Sequence, residues 1–221
     1  MISHAISPKR AAKPRWHRRK DARPAEIVAA ALEVFVERGF AATKLDEVAR
    51  RAGVTKGTVY LYFDGKEALF KALIRDTIVP ALATGERLVA EHRGSAADLL
   101  RRLIRGWWEL IGETQLSGIP KLMMAEAGNF PDLARFYYDE VISRGHRLLA
   151  SALERGIKGG EFRPVDVKVA VRLAIAPLLH AANWRHSFAL CTRDGLDVPK
   201  YLDSHIDIFL RGIGKHPDRI D

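Results

Sequence analysis

The sequence predicts an all-α protein in two parts, and three observations carry that prediction. Apolar residues recur at three- and four-residue spacing, the period of an amphipathic helix, in one segment after another. From Gly94 onward no segment shows the two-residue alternation of a half-buried strand. Between residues 44 and 63, two short helical patterns are joined by a tight turn containing Gly53.

At 221 residues the chain can hold one large or two modest cores. Its 48% hydrophobic and 29% charged residues are ordinary for a globular protein in water. The single cysteine, Cys191, excludes an intrachain disulfide and a cysteine zinc cluster, and suits a reducing cytosol. The net charge of +9 is unevenly placed. Residues 1–23 hold eight Lys and Arg against Asp21, so seven of the nine excess charges fall there and the rest is nearly neutral. Residues 1–22, with Pro8, Pro14 and few large apolar groups, read as a disordered basic arm. Such a density of cations suits phosphate neutralisation. Arg15, Arg18, Arg19 and Lys20 are the candidates for following a nucleic-acid backbone or entering a minor groove. No apolar core follows these charges as in a signal peptide, and no run of 18 or more apolar residues occurs. The expectation is a cytoplasmic protein without membrane contact.

The first folded helix should begin near Pro24, bury Ile27, Ala31, Val34 and Phe35, and close at Gly39. Thr43 followed by Asp46 is a capping-box-like start for the next helix, whose Leu45, Val48 and Ala49 face inward. Gly53 supplies a left-handed exit, and Thr55 is the N-cap expected for the following helix. There Val59 and Phe63, four apart, share the buried face. Lys56, Gly57, Thr58, Tyr60 and Tyr62 are left outside: a cation, a bare backbone, a hydroxyl and two phenols. These groups suit phosphate oxygens and base edges in a major groove. A merely structural helix pair has no use for Gly57, which costs about 1 kcal/mol relative to Ala in a helix. Asp64 with Glu67 repeats the cap pattern and starts a long helix through Leu69, Phe70, Leu73 and Ile74, which Pro80 should bend or interrupt.

Residues 27–53, IVAAALEVFVERGFAATKLDEVARRAG, then VTKGTVYLYF and GKEALFKAL, resemble the DNA-binding domain of the tetracycline-repressor (TetR) family of bacterial regulators. The resemblance covers about a quarter of the chain. It implies a three-helix, homeodomain-like helix-turn-helix domain over residues 23–76, with the motif at about 44–63, and a helical ligand-binding and dimerisation domain over 77–221. It also implies a double-stranded DNA operator as partner, a nucleoid-associated location, and Lys66 as a phosphate contact. Thr43, Thr55, Thr58, Tyr62 and Lys66 are then expected on the DNA, most of them fixing register on phosphates. Lys56, Gly57 and Tyr60 are expected at the bases.

Ser95 should cap a helix carrying Leu99, Leu100, Leu103, Ile104, Trp107 and Trp108. A short segment, residues 120–127, carries Leu122, Met123 and Met124. A long helix follows Asn129-Phe130-Pro131 and ends near Gly159-Gly160. The last two helices, about 166–189 and 199–213, are more apolar than packing on one side requires, and Pro177 should kink the first. In the family such helices pair with their mates in a second subunit, so a homodimer is expected through them.

Aromatic and methionine side chains gather in this half, and Trp107, Trp108, Met123, Met124, Tyr137 and Trp184 are the candidates for lining a cavity. Taken singly each is a normal core residue. The resemblance implies a small apolar or amphipathic effector that releases DNA. No metal and no cofactor are expected: His180 and His186 are six apart, off one helical face, and no phosphate-binding or nucleophile motif occurs. The reading is a repressor rather than an enzyme. Its rivals are a DNA-binding regulator that takes no ligand and a metabolite-binding protein or enzyme built on the C-terminal helices.

Overall fold

The structure, a computed structural model, describes residues 23–189, 191 and 195–215. The basic arm with Arg15, Arg18, Arg19 and Lys20 lies outside the described residues. Helix α1 (Arg23–Arg38) turns Ile27, Ala31, Val34 and Phe35 wholly inward and ends at Gly39, whose φ of 81° favours glycine. Helices α2 (Leu45–Arg51) and α3 (Lys56–Tyr62) pack on it through Val48, Ala49 and Val59. Between them Gly53 has φ 65°, while Gly53 N–H donates to Arg50 O (3.2 Å) and Val54 N–H to Ala49 O (3.0 Å). This paired pattern is a Schellman close, and it sets the angle at which α3 leaves α2.

Helix α4 (Lys66–Glu91) leads from these three helices into the rest of the chain. It starts from Gly65 without a side-chain cap, so the Asp64–Glu67 cap expected from the sequence does not form. It also runs unbroken through Pro80, so of the expected bend or interruption the interruption does not occur. Leu73, Ile74, Ile78 and Leu82, buried on both sides of the proline, hold the helix together although Asp76 O has lost its N–H partner. Helix α5 (Ala96–Trp107) begins at Ser95, whose Oγ accepts from Asp98 N–H (3.1 Å) as expected. It continues as a π-helical turn, Trp108–Gly112.

A 3-10 turn (Gln115–Ser117) leads into α6 (Gly118–Glu126). Helix α7 (Pro131–Tyr137) passes through a second π turn, Tyr138–Ile142, into α8 (Ser143–Lys158). Helices α9 (Val167–Arg185) and α10 (Val198–Ile213) close the fold. Asp166 caps α9 by accepting from Lys168 and Val169 N–H, and Pro177 again lies inside a continuous helix. Glu161 seals the N-terminus of α5 by accepting from Ala96 and Ala97 N–H (2.9 and 3.2 Å).

The core is divided. One cluster joins α1–α4 to α6 and α7, and a second joins α5, α8 and α9. A third packs Trp108 against Leu178, Ala181, Leu202 and Ile206 of α9 and α10. Among the described residues no helix is long and apolar enough to cross a membrane.

Candidate functional site

Two surfaces stand out, and the first is the outer face of α3. Thr55 is its N-cap: the side chain accepts from Thr58 N–H (3.2 Å), and the two hydroxyl oxygens lie 2.9 Å apart. Lys56, Gly57 and Tyr60 are exposed, while Thr58 and Tyr62 are half-buried at the edge of the core. A Cβ placed on Gly57 meets only Thr55 Oγ1, at 3.8 Å, so nothing in the domain requires glycine there. Leu61 was missing from the sequence-based set and is 74% exposed. It stands four residues from Gly57 and beside Tyr60, so Gly57, Tyr60 and Leu61 form one outward face. Its position opposite Val59 was the available signal, hidden because leucine is ordinarily assigned to a core.

The cations near this face are already engaged. Lys56 Nζ donates to Asp46 at 3.0 Å across the turn, and that carboxylate holds the ammonium above its usual pKa. Arg51 forks onto Glu37 (2.6 and 2.8 Å), tying α2 to α1, and raises its own pKa while lowering that of Glu37. Lys66 Nζ donates to Phe40 O and Ala41 O, both at 2.9 Å, over the Phe40 ring. An ammonium has three N–H groups, so one remains.

Thr43 corrects the sequence reading. It is buried, and its hydroxyl donates back to Gly39 O (2.7 Å). Helix α2 instead starts from Lys44 with no side-chain cap. The short hydroxyl found a carbonyl four residues behind it, which removes Thr43 from the outer face.

The turn from α1 to α2 is held from α6 as well. Glu126, nearly buried at the end of α6, accepts from Ala41 N–H (2.9 Å). Phe130, just beyond α6, meets the Phe40 ring edge-on with centroids 4.8 Å apart. A sequence reading could not find this pairing, since the partners are 85 residues apart.

The second surface is a cavity of about 370 Å³ between α4, α5, α6, α7, α8 and α9. Trp107, Met123, Met124 and Tyr137 line it, as the sequence suggested. Trp108 and Trp184 do not. Trp108 turns the other way into the third cluster, with its ring against Gly112, and Trp184 packs between His180 and Phe188. Both π turns border the cavity, through Leu110 and Ile111 in one and Val141 and Ile142 in the other. Such turns often mark functional sites. Gly106 and Gly145 also line it within continuous helix, where glycine costs about 1 kcal/mol each relative to Ala. A Cβ on Gly106 would meet nothing within 4 Å, and one on Gly145 only Leu82, at 3.8 Å. The side chains in the wall with polar groups are few: Thr84, Arg102, Trp107, Tyr137 and His146. Burial pushes the Tyr137 phenol pKa up, so it stays a neutral donor, and burial beside Arg172 pushes that of His146 down. Among the described residues no three His, Cys, Asp or Glu converge as a metal site.

A third feature lies on α9 and α10. Val169 and Leu173 are half or more exposed on α9, and Ile208 is 71% exposed on α10. The His180 and Tyr201 rings, 6.2 Å apart, join the two helices alongside.

The profile of the family described as bacterial regulatory proteins, tetR family, matches residues 27–73, which hold α1 from Ile27 onward, all of α2 and α3, and the start of α4. A second, described as AefR-like transcriptional repressor, C-terminal domain, matches residues 98–212. The HTH-type transcriptional repressor KstR2 of Rhodococcus jostii is 28% identical over 190 residues, 85% of this chain and 91% of that protein. The HTH-type regulator YfiR of Bacillus subtilis, itself uncharacterized, is 32% identical over 153 residues, 66% of this chain and 71% of that one. In fold, the chain matches the crystal structure of FadR from Bacillus subtilis in complex with stearoyl-CoA. The TM-score is 0.70 at 23% identity, over 86% of this chain and 98% of that one. With family profiles matching both residues 27–73 and residues 98–212, the chain belongs to the TetR family of DNA-binding transcriptional regulators.

Proposed function

We propose that the protein is a homodimeric repressor that leaves its operator when a small apolar or amphipathic molecule fills the cavity. The observation that carries the DNA half is the outward face of α3: Gly57, Tyr60 and Leu61 together, with Thr55 and Lys56 at its start. A bare backbone beside a phenol and an exposed methyl-rich side chain suits close approach to base edges and to thymine methyl groups. Thr55, Thr58, Tyr62 and the remaining N–H of Lys66 serve phosphates, and Lys56 reaches bases once it leaves Asp46. The arm, through Arg15, Arg18, Arg19 and Lys20, supplies bulk attraction to the duplex.

Dimerisation through α9 and α10 is supported by their exposed apolar side chains, Val169, Leu173 and Ile208, which a second copy would cover. Two recognition helices then meet successive major grooves of a palindrome. The effector half rests on the cavity, which favours a ligand-taking regulator over one with a closed interior. The FadR neighbour holds an acyl thioester, an amphipathic molecule, which fits the same reading.

Footprinting on the DNA upstream of the protein's own gene is the direct test. Two protected half-sites with centres about one helical turn, roughly 34–36 Å, apart are expected. Absence of protection there, and of any enriched palindrome in selection from a random DNA pool, would refute the proposal.

A further inference from the structure

One hydroxyl in the cavity wall is left without a partner. Tyr137, the last residue of α7, is 7% exposed and sits in the first core cluster, yet its O–H makes no hydrogen bond among the described residues. Burial is the one cause of its raised pKa, with no bonded or charged neighbour acting on the phenol. Among the described residues, the polar side-chain atoms sealed away without a hydrogen bond belong to Glu47, Asn183 and Trp184, and the Tyr137 oxygen is not one of them. That oxygen therefore keeps an open side, and for a residue this deep the opening is the cavity it lines. The other polar side chains of the wall are spent or uncharged. Thr84 Oγ1 donates to Pro80 O (3.1 Å) and accepts from Arg87 (3.3 Å). Arg102 is paired with Asp98 at 2.9 Å, and its side chain is 59% exposed. His146 is held below its ordinary pKa of 6.5, first by burial and then by Arg172, so at neutral pH it carries no charge. Trp107 brings an indole N–H, which can only donate. An ionised group brought inside would lose its water without gaining an unpaired counter-charge.

Resting on the reading of the cavity as an effector site, we propose that the effector is an uncharged, mainly apolar molecule whose carbonyl oxygen accepts a hydrogen bond from Tyr137. A carbonyl has two lone pairs and no hydrogen of its own to satisfy, so it answers an unspent phenol O–H without creating a new unmet donor. A pure hydrocarbon would leave that O–H buried and unmet. The volume of about 370 Å³ is within the range of small-molecule sites, where an apolar wall supplies most of the affinity and a few polar groups fix the orientation. Here Tyr137 is the group that fixes it. The bond is made in the same core cluster that holds α1 to α4, just ahead of the π turn Tyr138–Ile142.

The test is equilibrium dialysis of the full-length protein against three molecules of nearly one shape: a ketone (2-acetylnaphthalene), a hydrocarbon (2-isopropenylnaphthalene) and an anion (2-naphthoate). The ketone should bind, and Tyr137→Phe, which removes the hydroxyl alone, should weaken it about tenfold while the hydrocarbon keeps its affinity. Naphthoate should bind at least tenfold more weakly than the ketone. The wild type gives a second readout that needs no variant. Infrared difference spectra of the carbonyl-labelled ketone should place its bound C=O stretch below the position in hexane, and Tyr137→Phe should return it. Without ligand the variant should melt at the wild-type temperature or above it, because the hydroxyl it loses has no partner to lose. Equal weakening of ketone and hydrocarbon, a bound C=O stretch as in hexane, naphthoate binding as tight as the ketone's, or a melt several degrees lower each overturns the assignment to Tyr137 and leaves the cavity as an effector site. Binding by none of the three overturns the assignment together with the reading of the cavity beneath it.

Discussion

Replacing Gly57 by alanine should stabilise the protein while weakening its hold on DNA, and the two effects have separate causes. In α3 the residue sits in the first helical turn, one position after Lys56. Alanine is the better helix former by about 1 kcal/mol in a helix interior, which is an upper bound for a first-turn position. The new methyl group meets only Thr55 Oγ1 at 3.8 Å, an ordinary contact, so the domain exacts no strain in return. For a chain of this length each kcal/mol moves the melting temperature by about 2–4 °C, so a rise of up to that size is expected. In the proposed complex the same methyl would occupy the space between helix backbone and base edge. A good base contact is worth about 1–3 kcal/mol, and a two-fold symmetric dimer loses it twice, giving about 2–6 kcal/mol. With 1.4 kcal/mol per tenfold, the operator affinity should fall by about thirtyfold or more. Fluorescence anisotropy on a selected operator, at one fixed salt concentration, reads the affinity, and a thermal melt reads the stability. Wild-type affinity in Gly57→Ala would refute the close approach. A lowered melting temperature would instead show that the fold itself demands glycine.

Three further outcomes follow from the same structure. Glu126→Ala leaves the Ala41 N–H without its acceptor, which costs about 1–3 kcal/mol, and the melting temperature should drop by several degrees; an unchanged melt would remove the contact from the account of stability. Leu173→Glu places a charge in the exposed apolar strip of α9, and with the proposed dimer interface there, light scattering at micromolar concentration should find dimers for the wild type and monomers for the variant. Burial holds the pKa values of His146, His186 and His205 below the ordinary 6.5, helped at the first two by Arg172 and by Arg185 with Lys121. The unfolded chain therefore binds more protons near that pH, so this part of the stability is complete above pH 6.5 and is lost as the pH falls through it. Melts between pH 7.5 and 5.5 should show the decline, and replacing all three by glutamine should flatten it.

The DNA-binding half was legible because its signals are local. The Thr55 cap, the left-handed Gly53 and the four-residue spacing of Val59 and Phe63 each act within one or two turns of chain, and they locate α2 and α3 to within a residue. Thr43 was misread because two local bonds compete for one hydroxyl, and the carbonyl of Gly39 wins over the start of α2. In the second half the helix starts at Ser95 and Asp166 were legible for the same reason, but the faces were not. Each π turn replaces i→i+4 bonding by i→i+5, so counting by 3.6 residues loses its phase at Trp108–Gly112 and again at Tyr138–Ile142. Trp107 and Trp108 are neighbours in sequence, yet one faces the cavity and the other the third core cluster. Which is which depends on where α9 and α10 lie, and no local pattern encodes that. Pro80 and Pro177 show the converse, since tertiary packing on both sides keeps a helix continuous through a residue that disfavours it.

Helix α6 has one side on the cavity, through Met123 and Met124, and ends in the carboxylate that holds the turn ahead of α2. Coupling through such a helix, which touches both the proposed effector cavity and the turn that leads into α2, would be reciprocal. If an effector lowers operator affinity by some factor through α6, the operator must lower effector affinity by that same factor. The protein would then sense its ligand less sharply while seated on DNA than while free, so free subunits would act as a reservoir that captures ligand first. Comparing calorimetric titrations with and without saturating operator would measure that factor from the side opposite to the one usually measured.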